Sequence, residues 1–201
     1  MSEIEAGLNQ RDAIARRGRA ERLAELMALG EPAEGRMLFG GIECMNALWE
    51  ARWSYVYSLD LCAILASQIC VEKLLAAAVE MQGSVAPNSY AALLTQAAAK
   101  GMLVAWEYEL FDRLRRARNP HAHHRGVNDP QNLDRRAMET GENTDDLLRA
   151  DARAALRALL GLLNRPPFGL GLVIGPIFEE ELFPAVHPEQ MALTESASWP
   201  D

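Results

Sequence analysis

Cysteine is scarce in this chain: Cys44, Cys62 and Cys70 are the only three among 201 residues, and no two stand in CxxC spacing. An odd number without paired spacing argues against a disulfide frame. All three fall within apolar helical patterns, so we expect small buried hydrophobes in a reducing compartment. Overall basic charge is lacking as well, since the formal net charge is −8. Proteins that coat nucleic acid without specificity are usually basic, so broad coating is excluded. The N-terminal stretch MSEIEAGLNQRD lacks the basic-then-apolar order of a signal peptide. The most apolar run, LDLCAILASQICVEKLLAAAV (59–79), is interrupted by Asp60, Gln68, Glu72 and Lys73. We therefore expect a buried core helix there, no membrane span and a cytoplasmic location. Neither a β-hairpin signal nor an internal repeat occurs.

What remains is ample apolar material, 49% of residues, with 24% charged. That balance supports one folded domain with appendages. Helical periodicity runs through most of it. Residues 3–29 carry a thin apolar stripe and high charge, and LGEPAEG (29–35) breaks the pattern. In 37–56, Phe39, Ile42, Met45, Trp49, Trp53 and Val56 recur every three or four positions. A second apolar helix spans 58–82, with Ser58 as its expected N-cap and Gly83 as its stop. Further helices are expected over 89–100, over 104–118 with Trp106, Leu110 and Leu114 on one face, and over 145–163 with acids at its start. The spacing of Trp49, Trp53 and Trp106 predicts core or dimer packing rather than base stacking. Residues 133–143 are polar and give no assignment. The expected class is all-α, a helical bundle. Residues 1–30 read as an N-terminal helical extension, 37–163 as the bundle and 164–201 as an irregular C-terminal arm. In the arm, Glu179, Glu180 and Glu181 sit between Ile177–Phe178 and Leu182–Phe183, a pattern suited to docking on the body or on a partner.

One segment departs from the acidic background. RRARNPHAHHRG (115–126) holds four arginines and three of the chain's four histidines. Between Phe111 and Arg136, seven arginines face three aspartates, a charge of +4, so the rest of the chain carries −8 − 4 = −12. A local cationic site on an acidic body suits one bound phosphate group. Arginine supplies a permanent charge and a bidentate fork for phosphate, and histidine moves protons near pH 7. Together they suit phosphodiester chemistry that needs no metal. The competing reading is plainer: cations at a helix end simply compensate the helix dipole. HAHH also offers imidazoles to a metal, but no cysteine lies near and no HExxH spacing occurs, so no metal or cofactor is assigned. Pro120 is expected to break the helix that ends at Arg118. A helical turn resuming beyond it would let His123 and Arg118 share one ligand.

The stretch RNPHAH (118–123) resembles the Arg-x4-His signature of the HEPN superfamily, with asparagine directly after the arginine. The helix LCAILASQICVEKLLAAAVE is similar to that superfamily's long core helix with a buried acid. The order of long core helix, shorter helix, helix ending in RNxxxH and final amphipathic helix agrees over roughly 37–163. The resemblance implies a bundle that dimerises so that two RNxxxH segments face one cleft. There many members cut RNA without metal, leaving a cyclic phosphate. It implies Arg118 as the phosphate-stabilising group, Asn119 as the residue that orients Arg118 or substrate, and His123 as acid/base. Arg115, Arg116, His121, His124 and Arg125 would contact substrate. Glu72 would match the core-helix acid that holds the motif arginine, with Gln68 and Ser67 as alternatives. In toxin members paired with a small nucleotidyltransferase, a tyrosine follows the histidine by two positions; here Arg125 stands there. The partners implied are RNA, a second copy of the chain and a protein partner such as an antitoxin. Other members are catalytically silent modules that bind a nucleotide, RNA or protein.

Overall fold

The computed structural model describes residues 3–29, 40–122, 128–164 and Phe168, with backbone alone for 120–122. Among them are seven helices and no strand: α1 (Glu3–Ala28), α2 (Gly41–Val56), α3 (Asp60–Met81), α4 (Tyr90–Ala99), α5 (Ala105–Ala122), α6 (Leu133–Thr140) and α7 (Thr144–Leu163). The chain is an all-α bundle, as its patterning predicts.

α3 is the central element. It packs against α2, α4, α5 and α7, and its buried residues, from Ala63 through Leu74 and Leu75 to Val79, cover about half of its circumference, leaving an open side at Cys62, Ile69 and Lys73. By length and composition α3 is long and apolar enough to cross a bilayer, but 56% of that apolar window is buried within the bundle. So apolar a helix is one largely enclosed by others. α7 covers α3 with Ala152, Ala155, Leu156, Leu159 and Leu163. Asp145 and Asp146 in its first turn suit the positive end of the helix dipole, and the Asn143 side chain accepts the Asp145 N–H at 2.8 Å.

α2 approaches α3 closely. A Cβ on Gly40, which has φ +95°, would stand 3.0 Å from the Lys73 carbonyl oxygen and 3.0 Å from the Cys44 Cβ. Only glycine fits that backbone and that gap. Of the expected stripe on α2, Val56 is buried and Met45 and Trp53 pack against the core, but Ile42 and Trp49 depart from it. The core face is made of Cys44, Ala47, Leu48, Ala51 and Tyr55, whereas Ile42 is 72% exposed and Trp49 is 38% exposed. Phe39 lies outside the described residues. Small side chains face the neighbour because the helix axes are near one another. The large rings form an outer ladder, with Trp49 6.2 Å from Trp53 and Trp53 5.9 Å from Tyr57. Of the two expected alternatives, core packing therefore does not hold for Trp49 or for Trp106, which is 62% exposed, and dimer packing is left as the expectation for them.

Two further expectations change. Ser58 does not cap α3; it closes α2 in the left-handed region at φ 62°. The Ser58 N–H donates to the Tyr55 carbonyl and the Leu59 N–H to the Ser54 carbonyl, the paired bonds of a Schellman ending. The same pairing closes α3 at Gly83 and α4 at Gly101. Cys62 is exposed, while Cys44 and Cys70 are buried with their Sγ atoms 3.2 Å apart. The thiol–thiol bond and burial push the Cys70 thiol well up, so this pair is chemically quiet.

α1 is joined to the bundle through its last turns, where Arg22 and Leu26 are buried. Arg22 donates to Asp60 of α3 through both terminal nitrogens, the Nη2 bond being 2.9 Å. It also donates to the Tyr55 carbonyl at 3.2 Å and lies 4.9 Å over the Tyr55 ring. The Tyr55 hydroxyl donates to Glu25, which also takes Arg149 of α7 at 2.6 Å. One polar chain thus ties α1, α2, α3 and α7. The C-terminal arm beyond Phe168 lies outside the described residues; Phe168 itself is fully buried in the core.

Candidate functional site

α5 delivers the cationic segment. Its start is fixed by Glu107, whose carboxylate accepts the Val104 N–H at 3.0 Å, satisfying one free amide of the first turn. Phe111, Leu114 and Ala117 bury one side of the helix. The stripe expected from Trp106 through Leu110 to Leu114 winds from solvent into core: the first is exposed, the second half-buried and the third buried.

Pro120 does not end this helix, which runs on to Ala122. The helix is anchored two turns earlier by Leu114 and Ala117. The bias against helix before proline is a preference, and proline so near the end removes one late hydrogen bond instead of several central ones. Arg118 and Asn119 are therefore helical, and His121 belongs to the last turn. His123, His124 and Arg125 lie outside the described residues, as does the side chain of His121.

Three arginines of the segment have different environments. Asp112 accepts Arg115 Nε at 2.9 Å and Nη2 at 2.7 Å, and its other oxygen takes Arg116 at 2.7 Å. These are i,i+3 and i,i+4 pairs on one helix. Arg118 has no ion pair among the described residues, and its Nε is buried without a hydrogen-bond partner there. α3 carries the unpartnered Ser67 hydroxyl and both ends of the Gln68 amide, and Tyr90 of α4, within electrostatic range of Arg118, also has an unpartnered hydroxyl. All three side chains are buried, with exposures of 1%, 3% and 6%. Burial pushes the Tyr90 phenol well up, Glu72 adds to the rise, and Arg118 and Arg115 oppose it. Tyr90 is thus a neutral hydroxyl at neutral pH, within electrostatic range of both Glu72 and Arg118. Glu72 is half-buried one turn beyond Gln68 on α3 and makes no ion pair with Arg118. All three core-helix candidates for holding the motif arginine thus lie on one segment of α3, and the direct pairing expected of Glu72 is not formed.

Sequence reasoning missed Tyr90. Nothing local marks it, since it is simply the residue after the Ser89 cap, whose hydroxyl accepts the Ala92 N–H at 3.2 Å. Only packing of α4 against α3 and α5 brings it to Arg118. Sequence reasoning also missed an open groove of about 570 Å³ on another face of α5, lined by Trp106, Glu109, Leu110, Arg113, Arg116 and Gln131. Arg116 faces this groove, whereas Arg118 does not line it.

Comparisons of the chain with protein-family models, with curated proteins and with solved structures gave no significant match.

Proposed function

We propose that this chain is a metal-independent endoribonuclease of the HEPN type. The observation that carries the reading is Arg118: a helical arginine with no anionic partner among the described residues, set beside a buried neutral phenol, in a segment rich in histidine. A guanidinium held this way, without a resident carboxylate, is suited to a phosphodiester. In the reaction a base, His123 in one chain or its copy, takes the proton of a ribose 2′-OH. The O2′ attacks phosphorus, the P–O5′ bond breaks, and an acid protonates the leaving O5′. The products are a 2′,3′-cyclic phosphate and a 5′-OH. Arg118 stabilises charge on the crowded phosphate, and Asn119 orients Arg118 or the substrate. One arginine and few histidines per chain are sparse for two proton transfers and charge stabilisation, so we propose a homodimer that sets two such segments across one cleft. Defence, toxin action with a protein antitoxin, and RNA turnover are the settings this chemistry suits.

The test is incubation of structured and unstructured RNA in EDTA with wild type, Arg118→Ala and His123→Ala. Cleavage to cyclic-phosphate ends by wild type, lost in both variants, supports the reading; equal cleavage by all three points to a contaminant. A second reading is favoured by Asp112, which holds both Arg115 and Arg116 and leaves Arg118 as the open cation of the three. The chain would then be a silent module that binds a nucleotide, RNA end or protein. Tight RNA binding that Arg118→Ala removes, with no cleavage, selects it.

A further inference from the structure

The groove on the outer face of α5 has a layered chemistry. Trp106 and Leu110 give it an apolar end; Arg113 and Arg116 give it a basic end one to two turns further on. Trp106 is 62% exposed, a large aromatic surface at an open concavity. Arg113 makes no ion pair among the described residues. From Trp106 to Arg113 is seven helical residues, a rise of about 10 Å.

The chain carries a segment of matching chemistry. The 33 residues after Phe168 contain Glu179, Glu180, Glu181, Glu189, Glu195 and Asp201, and neither lysine nor arginine. Three of those acids directly follow the apolar run LGLVIGPIF (170–178). Three extended residues, Phe178 to Glu181, span about 10 Å, the same length as the step from the apolar to the basic end of the groove. The starting point is favourable. Phe168 is fixed in the core, and α7, which leads to it, packs against α5, which lines most of the groove, and against α6, which follows the Gln131 loop at its edge. The eight residues 169–176 reach up to about 26–29 Å, enough to cross one side of the bundle.

We infer that residues 177–183, IFEEELF, dock in cis on the α5 groove, with Ile177 and Phe178 against Trp106 and Leu110 and the glutamates against Arg113 and Arg116. Glu109 lines the groove and Asp112 already holds Arg116, so Arg113 is the main anchor for the glutamates, and the tether at Phe168 favours this segment over a separate anionic strand by keeping it at high local concentration. The docking is independent of the proposed ribonuclease activity, and its test does not read activity.

The experiment is hydrogen exchange on the full chain, followed by mass spectrometry of peptides covering 172–186. In wild type these amides exchange more slowly than an unstructured chain of the same sequence. Arg113→Glu speeds them about fivefold, the scale of one exposed charge pair reversed. Adding Glu180→Lys restores protection, while peptides from α3 stay unchanged throughout. Trp106→Ala removes protection by the apolar route. Exchange at the unstructured rate in wild type overturns the inference. So does protection that survives both Arg113→Glu and Trp106→Ala, and so does protection that fades on dilution, which would place the segment on another molecule.

Discussion

Two groups of polar side chains in this bundle differ in how far they satisfy one another. In the first, Arg22, Asp60, Tyr55, Glu25 and Arg149 satisfy one another across four helices. In the second, Ser67 and Gln68 of α3, Tyr90 of α4 and Arg118 of α5 each keep a buried polar atom without a hydrogen-bond partner among the described residues, and Tyr90 and Arg118 are within electrostatic range of one another. A buried polar atom left unpaired costs stability, so natural structures carry few. Trp53 and Gln96 hold one each elsewhere, but the second group holds five, one of them the Arg118 Nε itself. The first cluster is a staple. The second holds Arg118, where we propose that a phosphodiester binds.

The contrast breaks most sharply under mutation. Asp60→Ala leaves the Arg22 guanidinium buried and unpaired, and should lower unfolding free energy by about 3–5 kcal/mol in urea titration. Arg118→Met removes no pairing, so its loss should stay within about 1 kcal/mol. Equal losses would erase the distinction between the clusters.

A smaller effect has the opposite sign. Gln68→Met is close in volume and replaces an amide whose two ends are unpartnered. It should leave the melting temperature unchanged or raise stability by about 1 kcal/mol. A loss comparable to that of Asp60→Ala would mean that Gln68 is bonded in solution and belongs to a second staple.

The smallest effect is pH-dependent. Burial raises the Glu25 carboxyl, but the Tyr55 hydroxyl bond and Arg149 outweigh it and hold the group below its ordinary value of 4.5. A depressed folded value means that Glu25 contributes stability above about pH 4.5 and that this is lost as pH falls through the lower folded value. For so exposed a carboxylate the contribution is within about 1 kcal/mol. Glu25→Gln should flatten the stability curve between pH 5 and 3 by that amount, measured by urea midpoints at half-unit steps. An unchanged slope would show that Glu25 is not part of the staple.

Local patterning carried the helix count and class far. The runs giving α3 and α7 are long and strongly periodic, and their ends carry glycine or asparagine signals that keep their meaning in the fold. Ser58 was misread because a hydroxyl between two helices serves either one; the Schellman bonds decide it, and they depend on φ. Cys62 was misread because an apolar helix such as α3 shows no sequence difference between its enclosed sides and its one open side. α6 was not assigned because no residue in it is buried, so it has no apolar period to see. At the site, Arg118 and its neighbours on α5 were legible because they are contiguous. Tyr90 was not, since its place depends on three helices meeting. Asp112 holds two arginines that composition alone counts as available, and offsets the charge of one.

The most direct test of the central claim is RNA cleavage in EDTA by wild type, Arg118→Ala and Asp60→Asn, each first checked for folding by circular dichroism. The account predicts cyclic-phosphate products from wild type, a loss on the order of 10²- to 10⁴-fold in folded Arg118→Ala, and activity in Asp60→Asn that follows only its remaining folded fraction. A folded Arg118→Ala that cleaves like wild type, or a folded wild type that cleaves no RNA, would contradict it.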